Sequence, residues 1–431
     1  MEYNVAVVGE VDASKSTLIG VLSSGKLDDG RGSARLNVLT LKHEKETGRT
    51  SNINSVLVEF KQEKKEEMVN IRFLDLAGHE KYINTTLQGL TTYFPNFALL
   101  LVAANKGVTK MTEQHFKVCY SMHIPIIICI TKIDMAPPNI LKDTIEGIKR
   151  LCKPRGVRLH LYEVKDSDTR TRASKGFNMN PYQVIPYFKI SNVTGVGISL
   201  IKEFLPEIMP EVTDSSVGTF IKQSGVEKLF FVYKPYFVNG IGFVAFGKNC
   251  GGPISRRDKL LIGPINNEYH EFTVRSIHNA KRELVSSLLS GESGCLALAF
   301  NLRFQPTKFL LKRVVIIDRP IYVNRMIAEV FIFSHQTTLA VGYNPYIHCG
   351  TISTSAKVTG MFEKNPDPTG SGILDPSIPK LEYMRIGNKG FIEFTFPSTQ
   401  FVFKNAMIIF REGGLRGVGR ITSTIDDSPK V

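Results

Sequence analysis

The feature that most constrains the fold lies close to the N-terminus. Residues 5–8 form a short apolar run that predicts a buried strand, and residues 16–23 carry the apolar spacing of a helix. The turn between them places Gly9, Lys15 and Ser16 at the spacing G-x-x-x-x-G-K-[ST]. Strand, turn and helix in this order bring backbone N–H groups together at a helix N-terminus, where phosphate binds. The segment therefore predicts a phosphate-binding loop, whereas a glycine-containing surface turn without a ligand is the simpler alternative.

One position departs from this pattern, because Ser14 stands where the motif has glycine. Glycine adopts left-handed backbone angles easily and lets the chain approach phosphate closely. If the site requires a positive φ, serine adds strain of about 1–3 kcal/mol. Several charge-assisted phosphate contacts, each of about 1.5–3 kcal/mol, act against that strain. We therefore expect weakened but retained phosphate binding, and tighter binding when Ser14 is replaced by glycine.

A second predicted strand, residues 71–75, ends in Asp-x-x-Gly. A carboxylate at Asp75 can hold a water of a bound Mg²⁺, and Gly78 can direct its backbone N–H to a γ-phosphate. The pattern is common by itself. It gains weight because it follows the phosphate loop at the end of another strand.

Two later strand ends carry groups that suit guanine. The apolar run 125–130 has the composition of a central parallel strand and leads into Asp134, whose carboxylate can accept the two N–H groups of the guanine edge. Lys132 can lay its methylene stem over the base, and a backbone N–H after residue 190 can donate to guanine O6. Because all four motifs follow strands in chain order, they predict one nucleotide site at the carboxyl edge of a sheet. The residues predicted to bind guanine are Thr131, Lys132, Asp134, Ser191, Asn192 and Val193.

At this point the chain resembles the translation-factor GTPases. His79 directly after Asp75–Gly78 is typical of that superfamily, and residues 10–12 resemble its His-Val-Asp. Residues 27–35 and 42–51 resemble the first switch region of the subfamily of GTP-binding proteins one and two, which also has Thr131 and the triplet 191–193. The similarity extends to 275–278, 348–350 and 410–419, the last of which resembles elongation factor Tu, and so covers nearly the whole chain. Ser14 and Glu10 depart from the pattern, and the long N-terminal extension of the subfamily does not precede the first strand.

The resemblance implies an α/β P-loop GTPase domain followed by two all-β barrels, and hydrolysis of GTP to GDP and phosphate. It implies that His79 orients the attacking water and that Val11 forms one wall of an apolar gate. Thr50 would bind Mg²⁺ and the γ-phosphate, and Asp12 would lie by the β/γ bridge, where a monovalent cation is a further candidate. The implied phosphate-binding residues are Gly9, Val11, Asp12, Ala13, Ser14, Lys15, Ser16, Thr17 and Gly78, and the implied Mg²⁺ residues are Ser16, Thr50 and, through water, Asp75.

Length and charge indicate several domains. A chain of 431 residues is long for one domain, and we expect boundaries at 1–214, 215–319 and 320–431, with linkers at 206–216 and 318–320. The net charge is +14, and the middle segment has 15 basic and 7 acidic residues. A polyanion such as RNA suits this excess, although a generally basic surface is the simpler explanation. The basic residues of interest are Arg256, Arg257, Lys259, Arg275, Lys281, Arg282, Lys312 and Arg313.

From about residue 215 the pattern changes from β/α alternation to short β-rich runs separated by turns. The first set, which reads as a closed barrel, comprises 228–235, 242–247, 259–262, 271–277 and 295–300. The second set comprises 328–333, 346–348, 353–359, 390–396 and 406–411. Residues 363–380 are expected to be a mobile insertion, tolerated or used as an added contact site. Residues 155–180 are expected to hold a strand near 158–163 and a surface loop.

Six scattered cysteines indicate a reducing compartment, and no apolar run approaches the ~20 residues that span a bilayer. We therefore expect a cytoplasmic monomer that does not associate with membranes. The first functional hypothesis is a Mg²⁺-dependent GTPase that acts with tRNA and the ribosome or in RNA turnover. The second is a slow or GDP-locked GTPase-like adaptor that recruits RNA-processing partners.

Overall fold

The structure is a computed structural model that describes most of the chain. The described residues are 2–47, 50–62, 67–153, 159–208, 215–301, 307, 311, 313–332, 338–370, 373–385, 387–412 and 414–425. Contacts divide the chain into two compact units, Met1–Leu90 with Phe94–Thr213, and Thr91–Tyr93 with Asp214–Val431. The predicted subdivision of the second unit at residue 319 stays a prediction. No helix among the described residues is long and apolar enough to span a membrane.

The first unit alternates strands with helices. Its strands are β1 Glu2–Gly9, β2 Asn54–Gln62, β3 Glu67–Asp75, β4 Phe97–Ala103, β5 Ile126–Thr131, β6 His160–Val164 and β7 Val184–Lys189. Its helices are α1 Lys15–Ser24, α2 Lys42–Thr47, α3 Ile83–Thr92, α4 Lys110–Ser121, α5 Pro138–Leu151, α6 Ser167–Met179 and α7 Ile198–Glu207, with short 3-10 turns at Ala34–Asn37 and Glu80–Tyr82.

One sheet of order β2-β3-β1-β4-β5-β7-β6 forms the centre of this unit. Its pairings are parallel except for the antiparallel β2–β3 pair at one edge. Strands β4 and β5 are buried along their whole length, which explains their continuous apolar sequence. Because β1, β3, β5 and β7 run in the same direction, the loops that follow them lie at one edge of the sheet.

Residues 155–180 differ from the prediction. The strand β6 is present at His160–Val164, but the predicted surface loop contains α6, Ser167–Met179. Asp166 begins this helix with a capping box, accepting from Thr169 N at 2.8 Å while Thr169 Oγ1 accepts from Asp166 N at 3.0 Å. The prediction was wrong because the charged face of the helix hid a buried stripe that includes Ala173 and Phe177.

Apart from Thr91–Tyr93, the second unit begins with α8, Ser215–Ser224, and its other described elements are strands. The predicted linker 206–216 is therefore helical at both described ends, since α7 continues through Pro206 to Glu207. The first strands of this unit are β8 Leu229–Val238, β9 Gly242–Asn249, β10 Ile254–Ser255, β11 Lys259–Ile265, β12 Glu268–Asn279, β13 Leu284–Val285, β14 Ser287–Leu288, β15 Ser293–Phe300 and β16 Val315–Ile317.

Six of these strands close into a barrel. The order is β11-β16-β8-β9-β15-β12, and β12 pairs again with β11. The predicted set of five strands omitted β16, whose three residues are all buried and pair with both β8 and β11. This short strand closes the ring, and its brevity explains why the sequence pattern did not reveal it.

Seven of the remaining strands form a half-barrel of order β20-β19-β24-β25-β17-β23-β21, and β18 and β22 pair separately. The strands are β17 Val323–Ile332, β18 Leu339–Ala340, β19 Tyr346–Cys349, β20 Ile352–Ser355, β21 Lys357–Phe362, β22 Tyr383–Met384, β23 Lys389–Gln400, β24 Met407–Glu412 and β25 Gly414–Ile425. The single strand predicted at 353–359 is two strands, because the chain pairs with β19 before Ala356 and with β23 after it. Strand β25 was not predicted.

The barrel and the half-barrel are in contact within the second unit. Phe231 on β8 meets Phe401 at a ring-centroid distance of 6.1 Å, and Phe220 on the helix α8 meets the same ring at 5.6 Å. The predicted insertion lies between β21 and β22, and a bridge from Phe362 to Lys380 joins its two ends. Several predicted features lie outside the described residues, namely Gly48, Arg49, Lys312, Phe333, Gly413 and the stretches 154–158, 209–214 and 371–372.

Candidate nucleotide-binding site

The loop between β1 and α1 has the backbone geometry that the motif requires. Ser14 precedes the helix in the left-handed conformation, with φ 63° and ψ 30°, and Asp12 has φ 64°. Gly9 has φ 145°, and a Cβ there would collide with the carbonyl oxygen of Leu101 on the neighbouring strand. The serine therefore occupies a conformation in which glycine costs less.

Lys15, the first residue of α1, is buried beneath this loop. Its Nζ donates to Gly9 O at 3.1 Å and to Glu10 O at 2.8 Å. Burial lowers the pKa of Lys15 to about 8, although the carboxylates of Asp75 and Asp12 oppose that shift. The loop thus encloses an ammonium group that its own carbonyl groups hold in place.

The glycine of the Asp-x-x-Gly motif lies against the same loop. A Cβ at Gly78 would lie 2.6 Å from Gly9 O and would collide with Lys15 Nζ. Only a residue without a side chain fits here. The backbone of Gly78 is thereby brought to the ammonium group that is predicted to contact phosphate.

Three side chains meet beside Lys15. Ser16 Oγ donates to Asp75 Oδ2 at 2.7 Å, and Thr50 Oγ1 donates to the same oxygen at 2.8 Å. The two hydroxyl oxygens are 3.1 Å apart. Burial raises the pKa of Asp75, although the bonds from Ser16 and Thr50 and the charge of Lys15 oppose the rise. The other oxygen, Asp75 Oδ1, is buried and has no hydrogen-bond partner among the described residues.

Glu44 on α2 holds the segment that carries Thr50. Its Oε1 accepts from Ser51 N at 2.8 Å and from Asn52 N at 3.0 Å, and its Oε2 accepts from Asn54 Nδ2 at 3.1 Å. Burial raises the pKa of Glu44, but these hydrogen bonds outweigh it and the pKa is lowered. The side chain is fully buried and stays ionised, so it fixes the start of the segment leading to β2.

These residues surround a cavity at the edge of the sheet. Its lining residues are Val11, Asp12, Ser14, Lys15, Ser16, Thr17, Arg35, Thr50, Gly78 and His79. His79 is exposed and precedes the 3-10 turn Glu80–Tyr82, where its Nδ1 accepts from Lys81 N at 3.1 Å. Gly9, Ala13 and Asp75 are not among the lining residues. Instead they accept hydrogen bonds, Gly9 O from Lys15 Nζ, Ala13 O from Thr131 Oγ1 and Asp75 Oδ2 from Ser16 Oγ.

A second cavity extends toward the loops after β5 and β7. Lys132, Asp134, Asn192 and Val193 line it together with Met135. The predicted residues Thr131 and Ser191 do not line it, because both are fully buried and hold the loops. Thr131 Oγ1 donates to Ala13 O at 3.2 Å, and Ser191 Oγ accepts from Thr194 N at 3.1 Å.

Asp12 has a cationic neighbour in the protein itself. Lys106 Nζ lies 3.5 Å from Asp12 Oδ2 and donates to Val11 O at 3.3 Å. The Lys106 side chain is 40% exposed and that of Asp12 is 53% exposed. This ammonium lies beside Asp12, where the family resemblance implied a monovalent cation as a candidate.

The structure thus brings the four predicted motifs to one edge of the sheet, and it adds residues for which no role was predicted. Arg35, Asp28 and Glu44 occur in the segments that carry the resemblance, and Lys106 follows β4. The pattern Asp-Asp-Gly-Arg-Gly at 28–32 indicates a turn, but nothing in the sequence places that turn beside the phosphate loop. Among the described residues there is no cluster of three or more His, Cys, Asp or Glu around a metal position, and the oxygens beside Asp75 come mainly from hydroxyl groups.

Comparison with known proteins agrees with this geometry. Residues 2–215 match the family model of the elongation factor Tu GTP binding domain. GTP-binding protein 1 of Xenopus laevis is 32% identical over 99% of this chain and 64% of its own length. GTP-binding protein 2 of Homo sapiens is 32% identical over 98% of this chain and 69% of its own length. The chain thus spans about two thirds of these relatives.

A solved structure has the same fold over nearly the whole chain, and not in the first unit alone. The bacterial selenocysteine-specific elongation factor EF-Sec has a TM-score of 0.67 at 18% identity, and the match covers 98% of this chain and 58% of that one. The 32% identity over nearly the whole of this chain, together with the domain match, establishes the family. The chain belongs to the translation-factor superfamily of GTPases, within the family of GTP-binding proteins 1 and 2.

Proposed function

We propose that this chain binds GTP and hydrolyses it to GDP and phosphate, as a molecular switch of the elongation-factor type. The observation that carries the proposal is that Lys15, Ser16, Thr50 and Gly78 line one cavity, where Ser16 and Thr50 both donate to Asp75. Phosphoryl transfer to water depends mainly on positioning and electrostatics. A buried ammonium, backbone N–H groups at a helix N-terminus and a carboxylate supply both.

The Ser16–Thr50–Asp75 cluster fits Mg²⁺. Its oxygens are hard ligands of the type that this ion prefers, and the buried Asp75 Oδ1 lacks a hydrogen-bond donor in the described part of the chain. Ser16 and Thr50 would bind the ion directly, and Asp75 would bind through water. Bound there, Mg²⁺ would neutralise charge on the phosphates. Thr50 would release the site after hydrolysis and would make its segment the switch.

His79 is proposed to orient the attacking water. Because its Nδ1 already accepts from Lys81 N, a neutral ring carries its proton on Nε2. That N–H can hydrogen-bond to a water oxygen in the cavity that His79 lines. Val11, which also lines the cavity, is proposed as one wall of the gate that keeps the ring away until a partner acts.

Asp134, Lys132 and the loop of Asn192 and Val193 are proposed to bind guanine. Asp134→Asn tests this assignment, because an amide N–H cannot accept from guanine N1 and N2 but can donate to the C2 carbonyl of xanthine. We expect the variant to lose GTP affinity and to gain affinity for xanthosine triphosphate, measured by competition with a fluorescent nucleotide. If wild-type protein bound ATP as well as GTP, the assignment would be wrong.

The partner is proposed to be an RNA, namely tRNA on the ribosome or a substrate of RNA turnover. The basic middle segment supports this, since Arg256 and Arg257 line a cavity with Ser255, Ser286 and Ser287. Arg257 also has a left-handed φ of 72°, an unfavourable angle that often occurs at functional turns. A cytoplasmic, monomeric protein and the domain boundaries at 214 and 319 remain part of the proposal.

The deciding experiment is GTP turnover by the pure protein with and without ribosomes. We expect ribosomes to stimulate turnover, and His79→Ala to abolish the stimulation while GDP affinity is retained. His160→Ala is the matched control, because this exposed histidine lies on β6 and lines neither cavity. Turnover no higher than that of His79→Ala under all conditions would exclude the enzyme.

Ser14 favours a second candidate, a slow or GDP-locked adaptor that recruits RNA-processing partners. Its left-handed backbone imposes strain on the loop that grips phosphate. The adaptor predicts stable partner binding without measurable turnover, and the same variant tests it, since His79→Ala would leave partner recruitment unchanged. Stimulation of turnover by ribosomes to translation-factor rates would exclude this candidate.

A further inference from the structure

A tight turn at residues 28–35 lies beside the nucleotide cavities. The carboxylate of Asp28 accepts from Gly30 N at 3.0 Å, from Gly32 N at 3.1 Å and from Ala34 N at 3.0 Å. Asp28 is 7% exposed, and its own N–H donates to Asn192 O at 2.9 Å. The turn is therefore built around one buried carboxylate and is tied to the predicted guanine loop.

The turn also packs closely on α1. A Cβ added at Gly20 would overlap Ala34 O, so the glycine allows the 3-10 turn Ala34–Asn37 to lie directly against the helix. Because α1 begins at the phosphate loop, the position of Ala34 relative to that loop is fixed. The backbone of the next residue, Arg35, is therefore fixed relative to the phosphate loop as well.

Arg35 lines both cavities. It shares the first with Lys15, Ser16 and Gly78, and it shares the second with the guanine-side residues. The other residues common to both cavities are Asp12, Ser14 and Thr17, all at the phosphate loop. Arg35 is thus placed where the two cavities join, between the γ-phosphate end and the base end.

The guanidinium of Arg35 has no protein acceptor in the described part of the chain. It folds back over the turn, since a Cβ at Gly32 would lie 2.8 Å from Arg35 Cζ and 2.8 Å from its Nε. The residue is half-buried, and neither a hydrogen bond nor an ion pair of its side chain is found among the described residues. None of its nitrogens is among the buried side-chain atoms without a partner, so the guanidinium stays open to the cavities and can bind an anionic ligand.

We infer that Arg35 binds the α- and β-phosphates of the nucleotide. The inference rests on the proposed function and extends it with a phosphate contact from outside the phosphate loop. The planar fork of arginine matches phosphate oxygens with two parallel hydrogen bonds. Arg35 lies where the two cavities join, so we assign it to the phosphates nearer the ribose. The γ-phosphate is assigned to the other end of the first cavity, which Thr50, Gly78 and His79 line.

The test compares GDP, GTP and guanosine binding to Arg35→Ala by equilibrium competition in Mg²⁺ buffer. We expect affinities for GDP and GTP to fall together by about ten- to hundred-fold, the range for a charge-assisted bond, with guanosine unaffected. Arg35→Lys should recover part of the loss. Lys26→Ala is the control, because it removes an exposed cation that precedes the turn and lines neither cavity.

Arg35→Gln guards against a folding defect, since it keeps part of the stem over Gly32 and removes the charge. It should reproduce the loss while its melting temperature without nucleotide matches that of the wild type. Unchanged GDP affinity in both variants would overturn the inference, and so would a loss confined to GTP or an equal loss for guanosine. If the wild type bound neither GDP nor GTP, the proposed function would fail as well, so the two failures are distinguishable.

Discussion

Thr50 Oγ1 donates to Asp75 Oδ2 at 2.8 Å, although the two residues are separated by 25 positions in the chain. One belongs to the segment between α2 and β2, and the other ends β3. Because Ser16 Oγ donates to the same oxygen, this carboxylate joins three separate parts of the first unit. In the proposed switch, this hydrogen bond holds the Thr50 segment at the cavity and breaks when the segment leaves.

Glu44 provides a way to loosen that switch without touching the nucleotide. Both oxygens of Glu44 accept hydrogen bonds from N–H groups. In Glu44→Gln an NH₂ group replaces one of these oxygens, so at least one hydrogen bond is lost. Two hydrogen-bond donors then face each other. Bonds to a charged group contribute about 1.5–3 kcal/mol. We expect GTP turnover to fall by about tenfold or more, while GDP affinity changes less than twofold.

Glu67→Gln is the matched control, because it removes an exposed carboxylate at the start of β3. Turnover by stopped-flow phosphate release and GDP affinity by competition are the two readouts. An equal loss of GDP affinity and turnover would show that Glu44 supports the whole pocket rather than the Thr50 segment.

Ser14 allows the cost of a departure from the motif to be measured. Its φ of 63° is one that glycine adopts freely, so Ser14→Gly removes both the strain and a side chain next to the phosphates. We expect GDP to bind about tenfold more tightly, corresponding to about 1.4 kcal/mol. Ser14→Ala separates the causes, since it keeps the Cβ and removes the hydroxyl. If the alanine variant gained as much affinity as the glycine variant, the hydroxyl rather than the backbone would be responsible.

The fold of the first unit could be read from the sequence to a large extent, because its strands are continuous apolar runs such as those of β4 and β5. The second unit was harder. A three-residue strand such as β16 is too short for a period, and β20 and β21 form one unbroken run that changes partner only at Ala356. Pairing between distant strands decides both cases, and local sequence does not report it.

The nucleotide site shows the same division. Lys15, Asp75 and Asp134 belong to motifs in which the spacing of residues indicates the ligand. The sequence alone could therefore predict that these three residues lie near one another. Arg35 and Glu44 take their positions from contacts with other segments, in one case through Gly20 and in the other through Ser51. Residues whose role depends on what packs beside them cannot be found by spacing alone.

The lowered pKa of Lys15 predicts how nucleotide affinity depends on pH. Burial lowers its pKa to about 8 in the free protein, and a bound phosphate would favour the charged form and raise the pKa. Below pH 8 the lysine is already protonated, so affinity should not depend on this group. Above pH 8 the free protein loses the proton and binding must restore it. GDP affinity should therefore fall as pH rises, by up to tenfold per pH unit.

Calorimetry at pH 8.5 in two buffers of different ionisation enthalpy measures the proton uptake directly. We expect proton uptake when GDP binds and none when guanosine binds. Guanosine has no phosphate but has the same base as GDP, so it controls for titration of the base. Equal proton uptake with the two ligands would assign the effect to the base or to another residue.

The position of Lys106 predicts that the rate of GTP turnover does not depend on which monovalent cation is present. Its ammonium lies 3.5 Å from the Asp12 carboxylate, so the protein itself supplies the positive charge that an added ion would bring. Turnover should then be the same in K⁺ and in a bulky organic cation at equal ionic strength. Because both side chains are substantially exposed, Lys106→Ala should lower turnover by no more than about fivefold, and added K⁺ should restore part of the loss. Lys110→Ala, which removes an exposed charge at the start of α4, is the control. If the wild type already required K⁺, an ion would have to bind beside Asp12 despite Lys106, and the ammonium would be a surface ion pair without a part in turnover.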